Sequence, residues 1–141
     1  VAVKDNASEF ERLLSCLVEP NQAWARHAPV LVLGVTSLKF GGNGKENRAA
    51  HHDLGLASAN LSIEATRRGL SVHQMIGIVP ERAREMYDIP EGFEPLTALA
   101  IGYAGSLANA PDGLRERDET PRTRRTLAAF VFGGAWGEPG L

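Results

Sequence analysis

A single cysteine, Cys16, stands in 141 residues, so no disulfide can form within the chain and the cysteine usage fits a reducing compartment. A basic excess is also missing. The 15 Lys and Arg residues face 17 Asp and Glu for a net charge of −2, which argues against a nucleic-acid binder. Long apolar runs are absent too: the longest covers residues 28–35, far short of the about 20 residues that cross a bilayer. No signal peptide opens the chain, and the expected location is the cytoplasm. There is no internal repeat, no linker that divides the chain, and no Gly-x-Gly-x-x-Gly fingerprint of a dinucleotide-binding unit. What remains is ordinary for a soluble globular protein, with 43% apolar and 23% charged residues in a length that supports one domain, residues 1–141, with a real core.

Local patterns predict an order of elements. Val1-Ala2-Val3 reads as the end of a strand. Ser8 and Glu11 have the spacing of a capping box, followed by Phe10, Leu13, Leu14, Leu17 and Val18 at helical spacing. Pro20 is expected to stop that helix, and Asn21 to cap a short second one through Ala28. The β-branched run at 30–35 predicts a central strand covered on both faces. A Gly-rich loop at 37–46 precedes a long helix at 47–68, which Gly69 would end and which would span roughly 33 Å at 1.5 Å per residue. Ala50, Leu54, Ala57, Leu61 and Ala65 form one apolar stripe of that helix, and Leu56, Ala59 and Ile63 another. Apolar residues on more than one side predict a buried helix, the central one of the core and partly covered by a second subunit. Further on, 71–79 is expected to be a strand or extended segment entering Gly77, 81–87 a short helix after Pro80, and 96–103 a core strand. The polar stretch 109–120, with a turn at Pro111-Asp112-Gly113, is predicted as an exposed loop, and 127–132 as a strand or arm.

Two apparent sites fail on chemical detail. Gly41-Gly42-Asn43-Gly44-Lys45 sits between a strand and a helix, as a phosphate-binding loop would. However, Lys39 occupies the place of its first glycine, and Glu46 stands where a metal-binding hydroxyl belongs. A flexible surface loop is the better reading. His51-His52-Asp53 offers three ligand types, but adjacent helical residues point about 100° apart and cannot converge on one ion. His27, His73 and Cys16 lie in other elements, so no metal site is expected, and Asp53 is assigned a structural hydrogen bond or ion pair. Among the aromatic residues, Trp24 and Tyr103 are read as core packing, and Phe40 as a residue that could line a pocket.

Five stretches carry more information together than singly. They are Asn21-Gln22-Ala23-Trp24-Ala25, Asp53-Leu54-Gly55-Leu56-Ala57, His73-Gln74-Met75-Ile76-Gly77, Ala100-Ile101-Gly102-Tyr103 and Pro121-Arg122-Thr123-Arg124-Arg125. In this order they resemble the FMN-dependent nitroreductase family, from about Phe10 to Trp136. The chain starts at Val1, without an initiator Met, where the family pattern is already under way. It has no counterpart of the family's first phosphate-binding motif, Arg-x-Ser-x-Arg. The resemblance therefore implies an N-terminally truncated nitroreductase-like domain.

The same resemblance implies an α+β fold, a three-layer α/β/α sandwich with a mainly antiparallel sheet around a long central helix. It implies FMN as cofactor, held by Gln74, Met75, Ile76 and Gly77, with the backbone N–H groups of Ile76 and Gly77 facing the flavin N5 and O4 edge. Backbone donors tune a flavin without titrating. Arg122 and Arg124 match the family's phosphate-binding pair. Residues two apart in an extended segment share a side, and guanidinium suits bidentate phosphate contact, whereas Arg125 would face away. The implied activity is ping-pong transfer of hydride from NAD(P)H through flavin N5 to a small-molecule acceptor such as a nitroaromatic or quinone, by a homodimer. No catalytic acid, base or nucleophile is required. The alternative is a flavin-free dimerisation or binding module on the same scaffold.

Overall fold

Which residues start and stop each element follows from local chemistry. The computed structural model describes residues 1–106, 108 and 112–140, and these form two compact units, Val1–Ala104 and Gly105–Leu141, each described here by itself. In the first unit a short strand β1 (Ala2–Val3) leads into helix α1 (Ala7–Leu14). Its cap is Asn6, whose side chain accepts from Glu9 N, not the expected Ser8: the asparagine comes first and satisfies an orphan amide of the first turn. Helix α1 ends at Leu14, so Pro20 is not its stop. Instead Pro20 lies in the first turn of α2 (Glu19–Ala25), where its missing N–H costs nothing. Val18 is the N-cap residue of α2, and Asn21, expected there, lies inside the helix.

The sheet holds β1, β2 (Val30–Ser37), β3 (Ser71–Met75) and β4 (Phe93–Gly102). All pairings are antiparallel, in the order β1-β2-β4-β3. Between β2 and β3 runs the long helix α3 (Ala50–Arg67). It starts three residues later than expected because the Asn47 side chain accepts from Ala49 N and turns the chain into it. Gly69 ends it in the left-handed region at φ 76°. Helix α4 (Pro80–Tyr87) joins β3 to β4.

Side-chain alternation sends the two faces of the sheet to different helices. One face supplies Leu31, Met75, Ala98 and Ala100 to a core completed by Phe10, Leu13, Leu14 and Leu17. Full burial of each such large side chain contributes about 1.5–3 kcal/mol. The other face meets α3. A side chain at Gly34 would lie 2.6 Å from Thr97 Cγ2 and 3.3 Å from Leu54 Cδ1, Thr36 Oγ1 donates to Ala50 O at 2.8 Å, and Gln74 reaches Ser58 and Ser62. Helices on both faces of an antiparallel sheet make the α+β, three-layer arrangement expected. In this chain α3 buries its inner side, Ala50, Ser58 and Ala65, while Leu56 and Ile63 on its outer side are 50% and 68% exposed. No helix among the described residues is long and apolar enough to cross a membrane.

In the second unit the expected loop is mostly a helix, α5 (Asp112–Glu119). Its Leu, Arg and Glu residues favour helix, but polarity around its circumference hides it from a periodicity argument. Asn109 and Pro111, from the expected loop and turn, lie outside the described residues. Residues 121–126 have no regular structure. The expected strand at 127–132 is replaced by a 3-10 turn, Leu127–Ala129, with Phe132 bridging Pro139. Glycines at 133, 134, 137 and 140 favour tight turns over a continued strand.

Candidate functional site

Strand β3 ends at Met75, earlier than expected, and the next two residues turn. Three successive carbonyls there are bound inside the protein. Met75 O accepts from Thr97 Oγ1 at 2.8 Å, and Ile76 O accepts from Ile78 N at 2.8 Å. Gly77 O accepts both from Val18 N at 3.1 Å and from Asn21 Nδ2 at 3.0 Å. By contrast, Ile76 N and Gly77 N meet no acceptor among the described residues. Ile76 is 84% exposed. The turn therefore presents an edge of donors whose acceptors are all turned inward. Such an edge suits an electron-rich partner, since an amide without one gives up a hydrogen bond.

The surrounding sequence explains why the chain folds this way. Asn is a poor helix former because its amide seeks backbone partners. In the first turn of α2 that amide finds Gly77. A Cβ on Gly77 would overlap Asn21 Nδ2 and lie 3.0 Å from Val18 Cγ2, so the glycine is needed for close approach rather than for an unusual φ. Three residues on, Trp24 stands edge-on to His73 with ring centroids 4.6 Å apart. Behind the turn, Val79 N donates to Cys16 O at 2.7 Å. Burial pushes the Cys16 thiol above its ordinary value. Tyr87, whose hydroxyl donates to Glu9 Oε1 at 2.9 Å, is raised well above the usual tyrosine range, chiefly by burial and then by that carboxylate.

Of the predicted site residues, Gln74 and Met75 end β3, and Ile76 and Gly77 form the turn that follows. Met75 is buried in the core, and the Gln74 side-chain amide is already spent on Ser62 Oγ at 2.7 Å and Ser58 O at 3.2 Å. That leaves Ile76 and Gly77 as the free backbone donors. Arg122 and Arg124 lie in the second unit, both exposed, with Arg124 Nη1 donating to Thr123 O. Asn21 and Thr97 were not singled out as site residues. The signal for Asn21 was an asparagine beside a helix-starting proline; Thr97 carried none.

Other candidates fall away or move. Tyr103 is 78% exposed and is not core, whereas Trp24 packs against the core. Asp53 makes no side-chain bond among the described residues; it is His51 that pairs, with Glu94 at 2.7 Å. Among the described residues no three His, Cys, Asp or Glu side chains group as metal ligands. A cleft of about 480 Å³, lined by Lys39, Glu46, Arg48 and His51 among others, opens at the start of α3. Its rim consists largely of exposed polar side chains, and none of the predicted site residues lines it.

An antiparallel sheet with helices on both faces and a donor edge after its third strand defines the class of the fold as α+β. Comparison with known proteins narrows that class. The nitroreductase family profile matches residues 2–103, and the chain belongs to the nitroreductase family. An uncharacterised 15.4 kDa protein of Mycolicibacterium smegmatis, encoded in the ask 5′ region, is 35% identical over 138 residues, covering 96% of this chain and 90% of its own. A crystal structure described as an oxidoreductase containing FMN superposes with a TM-score of 0.84 at 33% identity, over 96% of this chain and 69% of that one. The NfrA1 nitroreductase of B. subtilis shares the fold, with a TM-score of 0.67 at 20% identity over 93% of this chain and 55% of its own.

Proposed function

We propose that this chain is a flavin-dependent oxidoreductase that binds FMN at the Ile76–Gly77 turn. The observation that carries the reading is the donor edge: two adjacent amides without acceptors among the described residues, beside three carbonyls that all have internal donors. Donors fit the N5 and O4 edge of a flavin, where oxidised flavin accepts hydrogen bonds and reduced flavin carries excess electron density. Family membership and the likeness to an FMN-containing oxidoreductase support the same reading. When bound, FMN would take hydride from NAD(P)H at N5 and pass it to a nitroaromatic, quinone or similar acceptor in a ping-pong cycle. The protein's own part is to hold and orient the ring; Arg122 and Arg124 are assigned the phosphate, on their spacing and the family resemblance.

The same reading makes the protein a cytoplasmic homodimer. The outer side of α3 supports this, because Leu56 and Ile63 expose apolar surface on a helix whose inner side is already packed. Light scattering should give a dimer mass at micromolar concentration, and Ala59→Glu should dissociate it, since an unpaired charge in an interface costs several kcal/mol. A monomer mass in the unaltered protein would refute the dimer.

Cofactor identity has a direct test. Purified protein mixed with FMN and separated from free flavin should retain a flavin absorption spectrum, and heating should release FMN identified by chromatography. Preferential recovery of FAD would refute the phosphate assignment. Dimeric protein that retains no flavin would favour a flavin-free interaction module.

A further inference from the structure

The directions of the two free amides are set by residues that do not belong to the turn. A trans peptide is planar, so the C=O of one residue and the N–H of the next point in opposite directions. Thr97 Oγ1 holds Met75 O at 2.8 Å, which fixes the plane carrying the Ile76 N–H. Asn21 Nδ2 and Val18 N hold Gly77 O at 3.0 and 3.1 Å, which fixes the plane carrying the Ile78 N–H. That N–H donates to Ile76 O at 2.8 Å, and Ile76 O shares its plane with the Gly77 N–H. Asn21 therefore acts on the Gly77 amide through two linked planes, and Thr97 acts on the Ile76 amide through one.

Both holders are side chains of elements that pack on the turn from different sides, Asn21 on α2 and Thr97 on β4. Backbone bonds from Val18 N to Gly77 O and from Val79 N to Cys16 O anchor the end of the turn, and the two side chains add the donors that aim the Met75 and Gly77 carbonyls. Gly77 completes the arrangement by leaving the space that Asn21 Nδ2 occupies.

We propose that Asn21 and Thr97 are positioning residues of the flavin site, Thr97 orienting the Ile76 donor by binding the carbonyl across its peptide plane, and Asn21 orienting the Gly77 donor one plane removed, through Gly77 O and the Ile78 N–H. The proposal rests on the flavin reading above. Neither side chain is assigned contact with the cofactor. Their effect is on how well the donors fit the ring edge and, through that, on how strongly reduced flavin is stabilised relative to oxidised.

The test compares the unaltered chain with Thr97→Val, Thr97→Ser, Asn21→Ala and Asn21→Asp. It measures FMN affinity by fluorescence quenching, the midpoint potential of bound flavin by spectroelectrochemistry, and Tm. Thr97→Val keeps the shape and removes the hydroxyl, whereas Thr97→Ser restores it. Thr97→Val, Asn21→Ala and Asn21→Asp are expected to weaken FMN binding roughly three- to tenfold, the scale of one hydrogen bond. They should also make the midpoint potential more negative, because misdirected donors stabilise the reduced ring less. Thr97→Ser should recover most of both effects. A purely structural role would lower Tm without moving the potential of flavin that remains bound. If Asn21→Ala fails to fold, the Thr97→Val and Thr97→Ser pair decides. Unchanged affinity and potential in Thr97→Val, with FMN bound to the unaltered protein, overturns the positioning role and leaves the flavin reading intact. No FMN binding by the unaltered protein overturns both.

Discussion

Two glycine-bearing turns in this chain commit their backbone groups differently. In the loop at 40–46 the amides that flank the glycine pair are turned inward, Phe40 N donating to Lys45 O, Asn43 N and Gly44 N to Phe40 O, and Lys45 N to Asn43 Oδ1, while Gly41 N and Gly42 N meet no acceptor among the described residues. At 75–77 all three carbonyls are consumed, while the Ile76 and Gly77 amides have no acceptor among the described residues. The first turn has more glycine and resembles a phosphate loop in sequence; the second has one glycine and no motif of that kind. What a glycine turn can bind depends on which of its backbone groups the rest of the protein already occupies, and glycine content alone does not reveal that.

The comparison is sharpest for the phosphate. The loop at 40–46 binds four of its amides internally and carries the Glu46 carboxylate beside Lys45, so cations elsewhere are assigned the phosphate. Arg122→Ala and Arg124→Ala should each weaken FMN binding roughly ten- to a hundredfold, since hydrogen bonds to a charged group contribute about 1.5–3 kcal/mol. Arg125→Ala and Lys45→Ala should change it little. Fluorescence titration of the four variants decides: equal losses at all three arginines would mean diffuse attraction only, and a large loss at Lys45 would return the phosphate to the glycine loop.

Stability should separate the same two turns. A methyl group on Gly77 has no room beside Asn21 and Val18, whereas Gly41 and Gly42 have nothing within 4 Å of the added atom. Gly77→Ala is expected to cost about 1–3 kcal/mol, the usual range for overpacking, and Gly42→Ala to stay within about 0.5 kcal/mol. Urea melts of the two variants measure this; similar midpoints would mean that the Asn21 contact yields without cost.

The layer behind the donor edge offers the smallest effect. Tyr87→Phe removes the hydrogen bond to Glu9 and should cost about 1 kcal/mol. Because burial raises the folded tyrosine above its ordinary value of 10.0, the unfolded chain loses its proton first as pH rises. Stability should therefore fall from about pH 10 upward, and the buried Cys16 thiol, also raised, adds a fall in the same direction. Denaturant melts between pH 8 and 11 should show a weaker decline in Tyr87→Phe than in the unaltered protein. An identical decline would show that the Tyr87 hydroxyl does not contribute.

Much of this organisation was legible in sequence because it depends on apolar spacing and on glycine and proline. The core strand at 30–35, the long helix and its stop at Gly69, and the turn at Gly77 all carry such marks. The misreadings share a cause. Ser8 fits a capping box with Glu11, but Asn6 two residues earlier offers the same side-chain acceptor and meets the first turn before it, and α5 has no apolar stripe to betray it. At the site, the stretch at 73–77 could be found from its own residues and family order. Its contacts with Asn21, Trp24 and Thr97 could not, since they join residues far apart in the chain whose meeting depends on the fold.

The account stands or falls on where FMN meets the backbone. Two-dimensional ¹H–¹⁵N spectra of the labelled protein, recorded during an FMN titration, report each amide separately. The Ile76 and Gly77 amide signals should shift furthest on binding and become slower to exchange with solvent, while those of Gly44 and Lys45 stay in place. Saturable FMN binding that leaves the Ile76 and Gly77 signals unmoved, or shifts the 40–46 loop instead, would contradict it.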